Sequence, residues 1–560
     1  MLSRLFASTS CRNGMPKARR AATAALAVPA YAAEASPSQS ISSRATAATF
    51  GSLRLFSTAP DSATTTSIQS ILSDSNRILT TATDADLFDT YITDWTGRFK
   101  GENVIAVVFP KTTSEVSSIL TYCHKHDICV VPQGGNTGLV GGGVGLVGTK
   151  KHEIILSLEK MNNIIKVDSD NFTVTCEAGC VLQTLSTHLE DQHDLIVPLD
   201  LGAKGSCQIG GNIATNAGGL RVIKYGNIGK HVLGMEVVLA DGTILDMLKT
   251  LRKDNTGYNL SNLFIGSEGT LGIITKVALS VSRKPSDIRV SFIAVDGMQN
   301  AIKLLGKARK NLGEHLSSFE LIDRSSLKAV IDGDESQASL YNQFNCDNIH
   351  VMLETSDLDD DGLLGFMEEC FEEEIILDSI MSQNETHSAN LWRIREMIPV
   401  CLMDMSRQTT NDLKGRLIKY DVSIDVNQWD EFLNSCRDGL RSKGFPIDED
   451  KDDKSLPLLM FHNFGHMGDA NMHLNILLRS EQVVKHNVSD IDAMQKIVDD
   501  VVYSNVGKFN GSISAEHCIG QLKSKYLPSV KSRAEYDAMR NLKQVMDPKN
   551  ILNPGKMLTI

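Results

Sequence analysis

The 560-residue sequence has no hydrophobic run long enough to cross a membrane and no C-x-x-C pair of cysteines. The longest apolar stretch of its N-terminal segment, residues 21–33, is interrupted by Pro29. It falls short of the ~20 residues that a spanning helix needs, so we predict no membrane span. The eleven cysteines are scattered, which favours reduced thiols over a disulfide framework. The net charge of −12 predicts that the protein has no nucleic-acid partner.

The first 54 residues differ in charge from the rest of the chain. They contain seven basic residues and one acidic residue, Glu34, in a background of Ala, Ser and Thr. This composition predicts a transit peptide, with a processing site near residue 57 in the segment RLFSTA (residues 54–59). A disordered tail without a targeting function is the alternative. Without the segment the net charge is about −18, and we predict a protein of the mitochondrial matrix.

Beyond residue 100, short apolar runs alternate with helical patterns. Residues 104–109 and 128–132 are predicted strands on either side of a predicted helix at 113–126, which favours an α/β unit. Around Arg283 to Pro285 glycine becomes rarer, and we place a domain boundary there. Further strands are predicted at residues 153–158, 164–168, 173–178 and 351–355, and a further helix at 182–192.

Three glycine-rich stretches occur within about 145 residues: PQGGNTGLVGGG (132–143), PLDLGAKGSCQIGGNIATNAGG (198–219) and GSEGTLGIIT (266–275). Glycine lets consecutive backbone N–H groups point at phosphate oxygens. Each stretch alone could be a set of tight turns, but together they favour a shared anionic ligand. The G-x-G-x-x-G formed by Gly143, Gly145 and Gly148 is not a dinucleotide fingerprint, because a strand rather than a helix is predicted to follow it.

These stretches resemble the FAD-binding domain of vanillyl-alcohol-oxidase-type flavoproteins, and residues 198–219 resemble the D-2-hydroxyglutarate dehydrogenases, which are close to D-lactate dehydrogenases. The resemblance implies a mixed α/β (α+β) fold, with a PCMH-type FAD-binding domain of two subdomains and a substrate domain built on an antiparallel sheet. The predicted parts are residues 1–57 (transit peptide), 58–100 (helical lead-in), 101–285 (FAD-binding domain), 286–535 (substrate domain) and 536–560 (a C-terminal segment that covers the flavin).

By the same resemblance, the first stretch would hold the pyrophosphate of FAD, and the other two would line its ribose and isoalloxazine. Covalent relatives carry a His where this chain has Asn136, so the FAD would be non-covalent. The residues assigned to FAD are Pro132, Gly134, Gly135, Asn136, Thr137, Gly138, Leu139, Pro198, Asp200, Gly205, Ser206, Gly210, Gly211, Asn212, Thr215, Asn216, Gly218, Gly219, Glu268, Ile273, Ile274 and Asn553.

The segments FGHMGDANMHLN (464–475) and SAEHCIGQLK (514–523) contain a candidate metal site. His466, His473 and Glu516 form a plausible three-ligand set with an open position, and His517 is free to act as a general base. Two histidines seven residues apart are also common without a metal. The resemblance to the family motifs G-H-x-G-D-G-N-x-H and E-H-G implies Zn²⁺ as the metal, and Asn475 as a substrate contact.

The chain departs from these motifs, since Ala470 and Cys518 stand where the family has glycine. If the backbone needs a positive φ at position 470, the Cβ there would cost roughly 1 kcal/mol. A flavin-binding protein without catalysis is therefore one alternative to the enzyme.

Arg395 and Lys419 could bind a second carboxylate of the substrate, although most single basic residues are solvated surface groups. In the resemblance the R-E and K-Y-D segments clamp the distal carboxylate of D-2-hydroxyglutarate, and a third contact, usually Thr, falls on Pro399. A D-lactate or glycolate dehydrogenase on the same scaffold is the nearest alternative. The resemblance also implies an electron-transfer flavoprotein, a quinone or a cytochrome as electron acceptor, and allows a homodimer.

The spacing of Asp357, Asp359, Asp361, Gly362 and Glu368 resembles a calcium-binding EF-hand loop. Because a strand is predicted before it, we interpret the segment as a solvated acidic loop that caps the following helix.

Overall fold

The computed structural model describes residues 62–334, 347–410, 412–447 and 458–559, and every structural statement below concerns these residues. The predicted transit peptide and its processing site lie outside them. The described residues form sixteen α-helices and twenty β-strands. None of these helices combines the length and the hydropathy that crossing a bilayer requires.

The first sheet has four strands in the order β1-β2-β4-β3, of which β2, β4 and β3 are parallel. Its strands are Val- and Ile-rich runs buried on both faces, as parallel strands usually are. Helix α3 begins after Thr112, whose side chain accepts a hydrogen bond from the N–H of Glu115. The elements are α1 (Ser62–Leu72), β1 (Ile78–Leu79), α2 (Ala85–Ile92), β2 (Val104–Val108), α3 (Thr113–His126), β3 (Cys129–Gln133) and β4 (Glu153–Ser157).

The second sheet has five antiparallel strands in the order β5-β6-β10-β8-β9, and it shares a hydrophobic core with the first sheet. A short pair, β7 and β11, lies at its end. The elements are β5 (Ile164–Asp168), β6 (Thr173–Glu177), α4 (Leu182–His193), β7 (Leu195–Ile196), α5 (Ile209–Ala214), α6 (Val222–Tyr225), β8 (Val232–Val238), β9 (Ile244–Met247), α7 (Ser261–Phe264), β10 (Ile273–Ser280) and β11 (Ser282–Arg283). The predicted domain boundary at residues 283–285 stays a prediction; the chain passes there from the second sheet to the third.

The third sheet has seven antiparallel strands in the order β15-β12-β14-β13-β19-β20-β18. Helices α8, α10, α12 and α14 cover one face, and α9 and α11 cover the other. The elements are β12 (Ile288–Val295), α8 (Gly297–Asn311), β13 (Leu316–Ile322), α9 (Arg324–Gly333), β14 (Ile349–Ser356), α10 (Asp360–Glu372), β15 (Asp378–Met381), α11 (Glu385–Arg407), β16 (Thr409–Thr410), β17 (Leu413–Lys414), β18 (Arg416–Ser423), α12 (Trp429–Ser442), β19 (Met460–His466), β20 (Asn471–Leu478), α13 (Ser480–Lys485) and α14 (Ile491–Lys508).

The acidic segment at residues 357–368 has the environment that the sequence indicated. Strand β14 precedes it, and Asp359 caps α10 by accepting a hydrogen bond from the N–H of Gly362 at 2.8 Å.

The C-terminal tail returns to the first sheet. After α15 (Leu527–Val530) and α16 (Arg533–Met546), residues 551–553 run beside the edge strand β3. The N–H of Val130 donates to the carbonyl of Ile551 at 2.8 Å, and the N–H of Asn553 donates to the carbonyl of Val130 at 2.9 Å. The described residues after α16 thus form a non-helical tail.

Candidate active site

A tight turn between β19 and β20 brings two histidines together. His466 ends β19, a 3-10 turn follows over Met467–Asp469, and His473 is the third residue of β20. Ala470 closes the turn in the left-handed conformation, with φ of 67° and ψ of 18°. The two imidazole Nε2 atoms lie 3.2 Å apart.

The loop that precedes α15 adds a carboxylate and a third imidazole. Glu516 Oε1 is 3.8 Å from His466 Nε2 and 3.6 Å from His473 Nε2. The Nε2 atom of His517 is 3.4 Å from the same carboxylate oxygen, and its ring stacks on that of His473 at a centroid distance of 5.8 Å. The fold therefore brings together all three predicted metal ligands and the predicted base.

The first three of these groups fit a divalent metal. A tetrahedral Zn²⁺ with bonds of about 2.0–2.1 Å keeps its ligand atoms about 3.3–3.5 Å apart. The atoms His466 Nε2, His473 Nε2 and Glu516 Oε1 are separated by 3.2, 3.6 and 3.8 Å, which is close to that spacing. An overlapping group exists, because ligand atoms of Asp421, His473, Glu516 and His517 lie within 4.8 Å of one another.

Glu320 of β13, which the sequence analysis did not single out, lies behind His466. It is fully buried and accepts hydrogen bonds from His466 Nδ1 at 2.7 Å and from Arg395 Nε at 3.0 Å. Burial, the largest effect, acts to raise the pKa of Glu320, but the charges of His466 and Arg395 outweigh it and lower the pKa to about 2. The ionised carboxylate keeps the proton of His466 on Nδ1, so that Nε2 faces the other two ligands.

Asp421 of β18 lies on the opposite side, beneath the loop that carries Glu516 and His517. Its Oδ2 atom accepts hydrogen bonds from the backbone N–H groups of Glu516 at 3.0 Å and of His517 at 2.7 Å. Burial acts first to raise the pKa of Asp421, but the charges of His517 and Lys523 lower it below its ordinary value. The carboxylate is therefore ionised near neutral pH.

The sequence contained a signal for both carboxylates. Glu320 lies in the apolar run LSSFELI and Asp421 in the segment IKYDVSI, each inside a predominantly apolar strand. A buried carboxylate without partners is costly, so an acidic residue within a core strand indicates that a partner is nearby.

Lys419 and Asn475 lie on the same face of the third sheet as Asp421 and His473. Asn475 is paired directly with Lys419 on β18 and with His462 on β19, and directly paired residues place their side chains on one face. Lys419 is half-buried, and burial lowers its pKa. One residue pair, Tyr420 and Leu474, separates this pair from Asp421 and His473 along the two strands.

Helix α11 positions the other two predicted substrate contacts. Arg395 lies over the ring of Phe464 at 4.5 Å and donates to Glu320, so it is linked to the metal ligands rather than isolated from them. Pro399 is one turn further along the helix. Because proline has no N–H, it cannot donate the helical hydrogen bond to the carbonyl of Arg395.

The three glycine-rich stretches pack against one another through their backbones. A Cβ at Gly135 would overlap the carbonyl oxygen of Ser206 in the second stretch. The N–H of Glu268 in the third stretch donates to the carbonyl of Ala214 in the second at 2.8 Å. A Cβ at Gly269 would overlap the ring of Pro132. The stretches therefore form one structure, which we call the cradle (residues 132–143, 198–219 and 266–275).

Asn553 of the C-terminal tail joins the first and third stretches of the cradle. Its Nδ2 atom donates to the carbonyls of Gly142 at 3.0 Å and of Glu268 at 2.7 Å.

The cradle has the surface that a large polar ligand needs. A Cβ at Gly138 or Gly211 would meet no protein atom within 4 Å. The side-chain oxygens of Gln133, Gln208 and Asn553 are buried and accept no hydrogen bond from a described residue. Open glycine faces beside buried acceptors and polar groups fit the pyrophosphate and ring edges of a dinucleotide cofactor.

Some residues assigned to FAD have contacts within the protein. Asn136 donates to the carbonyl of Thr93 at 2.9 Å, and Asp200 forms ion pairs with Arg221 at 2.6 Å and with Lys204 at 3.1 Å. The side chains of Ile273 and Ile274 belong to the core of the second sheet, so only their backbones could face a cofactor.

A single loop, residues 516–521, connects the predicted metal ligands to the cradle. The carboxylate of Glu268 accepts hydrogen bonds from the N–H groups of Ile519 at 2.9 Å and Gly520 at 2.8 Å. The thiol of Cys518 donates to the carbonyl of Thr215 at 3.4 Å. His517 therefore lies between the two parts of the site.

Comparison with known proteins identifies the family. A family model described as FAD binding domain matches residues 104–248, and a model for the C-terminal domain of FAD linked oxidases matches residues 284–557. A protein of Oryza sativa subsp. japonica named probable mitochondrial D-2-hydroxyglutarate dehydrogenase is 40% identical over 496 residues, which cover 88% of this chain and 80% of that protein. The chain belongs to the FAD-linked D-2-hydroxyglutarate dehydrogenase family.

The family also includes proteins named for another acid. A Schizosaccharomyces pombe protein named putative mitochondrial D-lactate dehydrogenase is 39% identical over 479 residues. The aligned residues cover 85% of this chain and 85% of that protein. The solved structure of p-cresol methylhydroxylase with substrate bound has a TM-score of 0.64 at 14% identity, covering 90% of this chain and 98% of that one. That likeness shows the fold alone. The predicted fold class, the family and the identification as an FAD-dependent dehydrogenase are thus confirmed.

Both positions at which the chain departs from the family motifs have positive φ. Ala470 has φ of 67° and Cys518 has φ of 69°, the region that glycine enters without cost. The strain predicted for Ala470 is therefore present, and the turn and the loop keep their conformations despite it.

Proposed function

We propose that the protein oxidises D-2-hydroxyglutarate to 2-oxoglutarate in mitochondria, with a non-covalently bound FAD and a divalent metal, Zn²⁺. The observation that carries the proposal is the loop 516–521, which places His517 between three metal-ligand atoms and the cradle. The relatives named mitochondrial D-2-hydroxyglutarate dehydrogenases, at up to 40% identity, support the substrate and the compartment.

His466, His473 and Glu516 would hold the metal, and His517 Nε2 would receive the proton of the substrate's 2-hydroxyl group. The metal, when bound, supplies Lewis acidity that lowers the pKa of a coordinated hydroxyl. FAD, when bound in the cradle, supplies the acceptor for the hydride that leaves C2.

Substrate choice would depend on the residues around the metal ligands. Two of these residues, Lys419 and Asn475, lie on one face of the third sheet, and Arg395 of α11 contacts that face through Glu320. Together the three side chains offer two positive charges and an amide. That set suits a dicarboxylate, with one carboxylate near the metal and the other near Lys419. Pro399 would contribute its ring rather than a hydrogen bond.

The test is anaerobic reduction of the purified yellow protein by a panel of D- and L-2-hydroxy acids. We expect bleaching by D-2-hydroxyglutarate, slower bleaching by D-lactate and none by the L-acids. Acid precipitation should release all of the flavin, because Asn136 stands where covalent relatives carry a histidine. A protein that is reduced by no 2-hydroxy acid would refute the proposal.

A D-lactate dehydrogenase is the second candidate, because a 39% identical relative carries that name. Lys419→Glu distinguishes the two functions. We expect kcat/KM for D-2-hydroxyglutarate to fall by about 100-fold and that for D-lactate by less than about tenfold, since only the first acid has a second carboxylate. Lys414→Glu, an exposed charge on β17, is the matched control. Equal losses for both acids would contradict a role of Lys419 in substrate choice.

The matrix location and the electron acceptor rest on the resemblance. The predicted mature protein begins near residue 58, and N-terminal sequencing after import into isolated mitochondria would test this. Electron-transfer flavoprotein, a quinone and a cytochrome are the acceptors to compare in turnover assays, and light scattering would test the homodimer.

A further inference from the structure

We propose that Asp421 is a positioning residue that fixes the orientation and tautomer of His517 and holds Glu516 beside the two metal-binding histidines. The inference rests on the proposed function in taking His517 as the base. It concerns a residue that neither the motifs nor the resemblance assigned to this role.

Asp421 reaches the site from a different element than the residues it would control. It lies on β18 and is paired directly with His473 on β20, so its side chain is on the same sheet face as the metal ligands. Its exposed fraction is 2%, so it contacts protein on all sides.

One oxygen of the carboxylate holds the loop. Oδ2 accepts the backbone N–H groups of Glu516 at 3.0 Å and His517 at 2.7 Å, and the hydroxyl of Ser514 at 3.4 Å. Two consecutive amides bound to one ionised oxygen fix the backbone from which both the ligand and the base project.

The same carboxylate faces the ring of His517. The Nδ1 atom of His517 is 3.8 Å from Oδ2, whereas Nε2 is 3.4 Å from Glu516 and therefore faces the metal ligands. The other oxygen, Oδ1, is buried and accepts no hydrogen bond from any described residue. A small rotation of the imidazole towards Oδ2 would give Nδ1 an acceptor.

Such a pair determines which nitrogen is basic. A carboxylate at Nδ1 keeps the proton there, leaves the lone pair on Nε2 and stabilises the imidazolium that forms after proton uptake. Lys523, buried at 3.8 Å from Oδ2, offsets the negative charge that the site would otherwise carry.

A direct bond from Asp421 to the metal is the competing role, because its oxygen belongs to the overlapping cluster of four ligand groups. We favour positioning, since Oδ2 already accepts two amides while His466, His473 and Glu516 make a complete set without it. The two roles differ in what happens to metal content when only one oxygen is changed.

Asp421→Asn makes that change. The amide oxygen can still accept the two backbone N–H groups, but the negative charge beside Nδ1 of His517 is lost and an NH₂ group replaces Oδ1. In the holoenzyme we expect kcat for D-2-hydroxyglutarate to fall by about 100- to 10,000-fold, with KM within about threefold. Metal and flavin content should be unchanged.

A readout without turnover separates this inference from the proposed function. In ¹⁵N-histidine-labelled protein, the ring nitrogens of His517, assigned with His517→Gln, should show the proton on Nδ1 in the native chain and on Nε2 in Asp421→Asn. This arm remains decisive even if no 2-hydroxy acid reduces the protein. Asp492→Asn, which makes the same exchange at an exposed ion pair with Arg416 of β18, is the matched control and should change neither rate nor tautomer.

Three outcomes would contradict the proposal. Loss of metal in Asp421→Asn would make Asp421 a ligand, and an unchanged tautomer with unchanged kcat would reduce it to a structural residue. Asp421→Ala, which also releases the amides, should lose metal in addition to rate; full metal retention there would contradict the claim that Asp421 holds Glu516.

Discussion

The cradle and the metal-ligand cluster lie side by side but are built in opposite ways. The cradle is made of backbone: its first two stretches approach so closely that a Cβ at Gly135 would overlap the carbonyl oxygen of Ser206. The cluster is made of side chains, whose charged groups come from strands and loops as distant in sequence as Glu320 and Glu516. The cradle should therefore be sensitive to added volume, and the cluster to changed chemistry at constant volume.

The largest effect is expected from a single methyl group in the cradle. Gly135→Ala places a Cβ on the carbonyl of Ser206, and the first and second stretches must separate. We expect the protein to be isolated without flavin and without activity. Flavin absorbance per protein measures this directly.

Gly306→Ala is the matched control, because that glycine lies on the exposed side of α8 and a Cβ there meets no atom within 4 Å. A yellow, active Gly135→Ala protein would show that the cradle tolerates volume and would break the comparison.

A second variant acts on the cluster and should leave the cradle intact. Glu516→Ala removes one of the three proposed metal ligands, and we expect the rate of flavin reduction to fall by about 1,000-fold or more. Metal analysis and flavin absorbance on the same sample test the separation: metal is lost and flavin is retained. Glu368→Ala, an exposed carboxylate on α10, controls for loss of charge. Loss of flavin together with metal would mean that the two parts are not independent.

A smaller effect is expected at Glu320, which contacts the proposed metal ligand His466 rather than the metal itself. Glu320→Gln keeps the volume but removes the charge that His466 and Arg395 share, and we expect metal affinity to fall by about 10- to 100-fold. Competition with a chelator measures it. An unchanged affinity would show that the tautomer of His466 does not depend on Glu320.

The smallest effect concerns the left-handed turn. Ala470→Gly removes a Cβ at φ of 67°, and the relief of about 1 kcal/mol is partly offset by the greater freedom of glycine in the unfolded chain. We expect a rise in Tm of about 1 °C or less, by calorimetry of the holoprotein. A clear fall in Tm would mean that the methyl group packs favourably and that the strain is not real.

The sequence predicted local structure and loops well. The helix predicted at 113–126 is present as Thr113–His126. It was predictable because its N-cap and the spacing of its apolar residues are local features of the sequence. The three stretches of the cradle were visible for the same reason. Their mutual packing was not, since which glycine meets which carbonyl depends on the arrangement of the two sheets.

Only some residues of the metal-ligand cluster could be predicted from the sequence. Histidines and a glutamate in short motifs were readable, but Glu320 and Asp421 act through contacts across the third sheet. The pairing of Glu320 with His466 and of Asp421 with His473 joins strands that are far apart in sequence, so no local pattern names the partner. Arg395 on α11 shows the same limit, because the carboxylate it contacts, Glu320 of β13, lies 75 positions earlier in the sequence.

The tail that carries Asn553 makes the order of synthesis matter. Its side chain joins residues that are translated some 280 or more positions earlier. A nascent or truncated chain therefore contains the first and third stretches of the cradle without the hydrogen bonds that link them. We therefore expect FAD to bind only after the last residues of the chain have been made and have packed against the cradle.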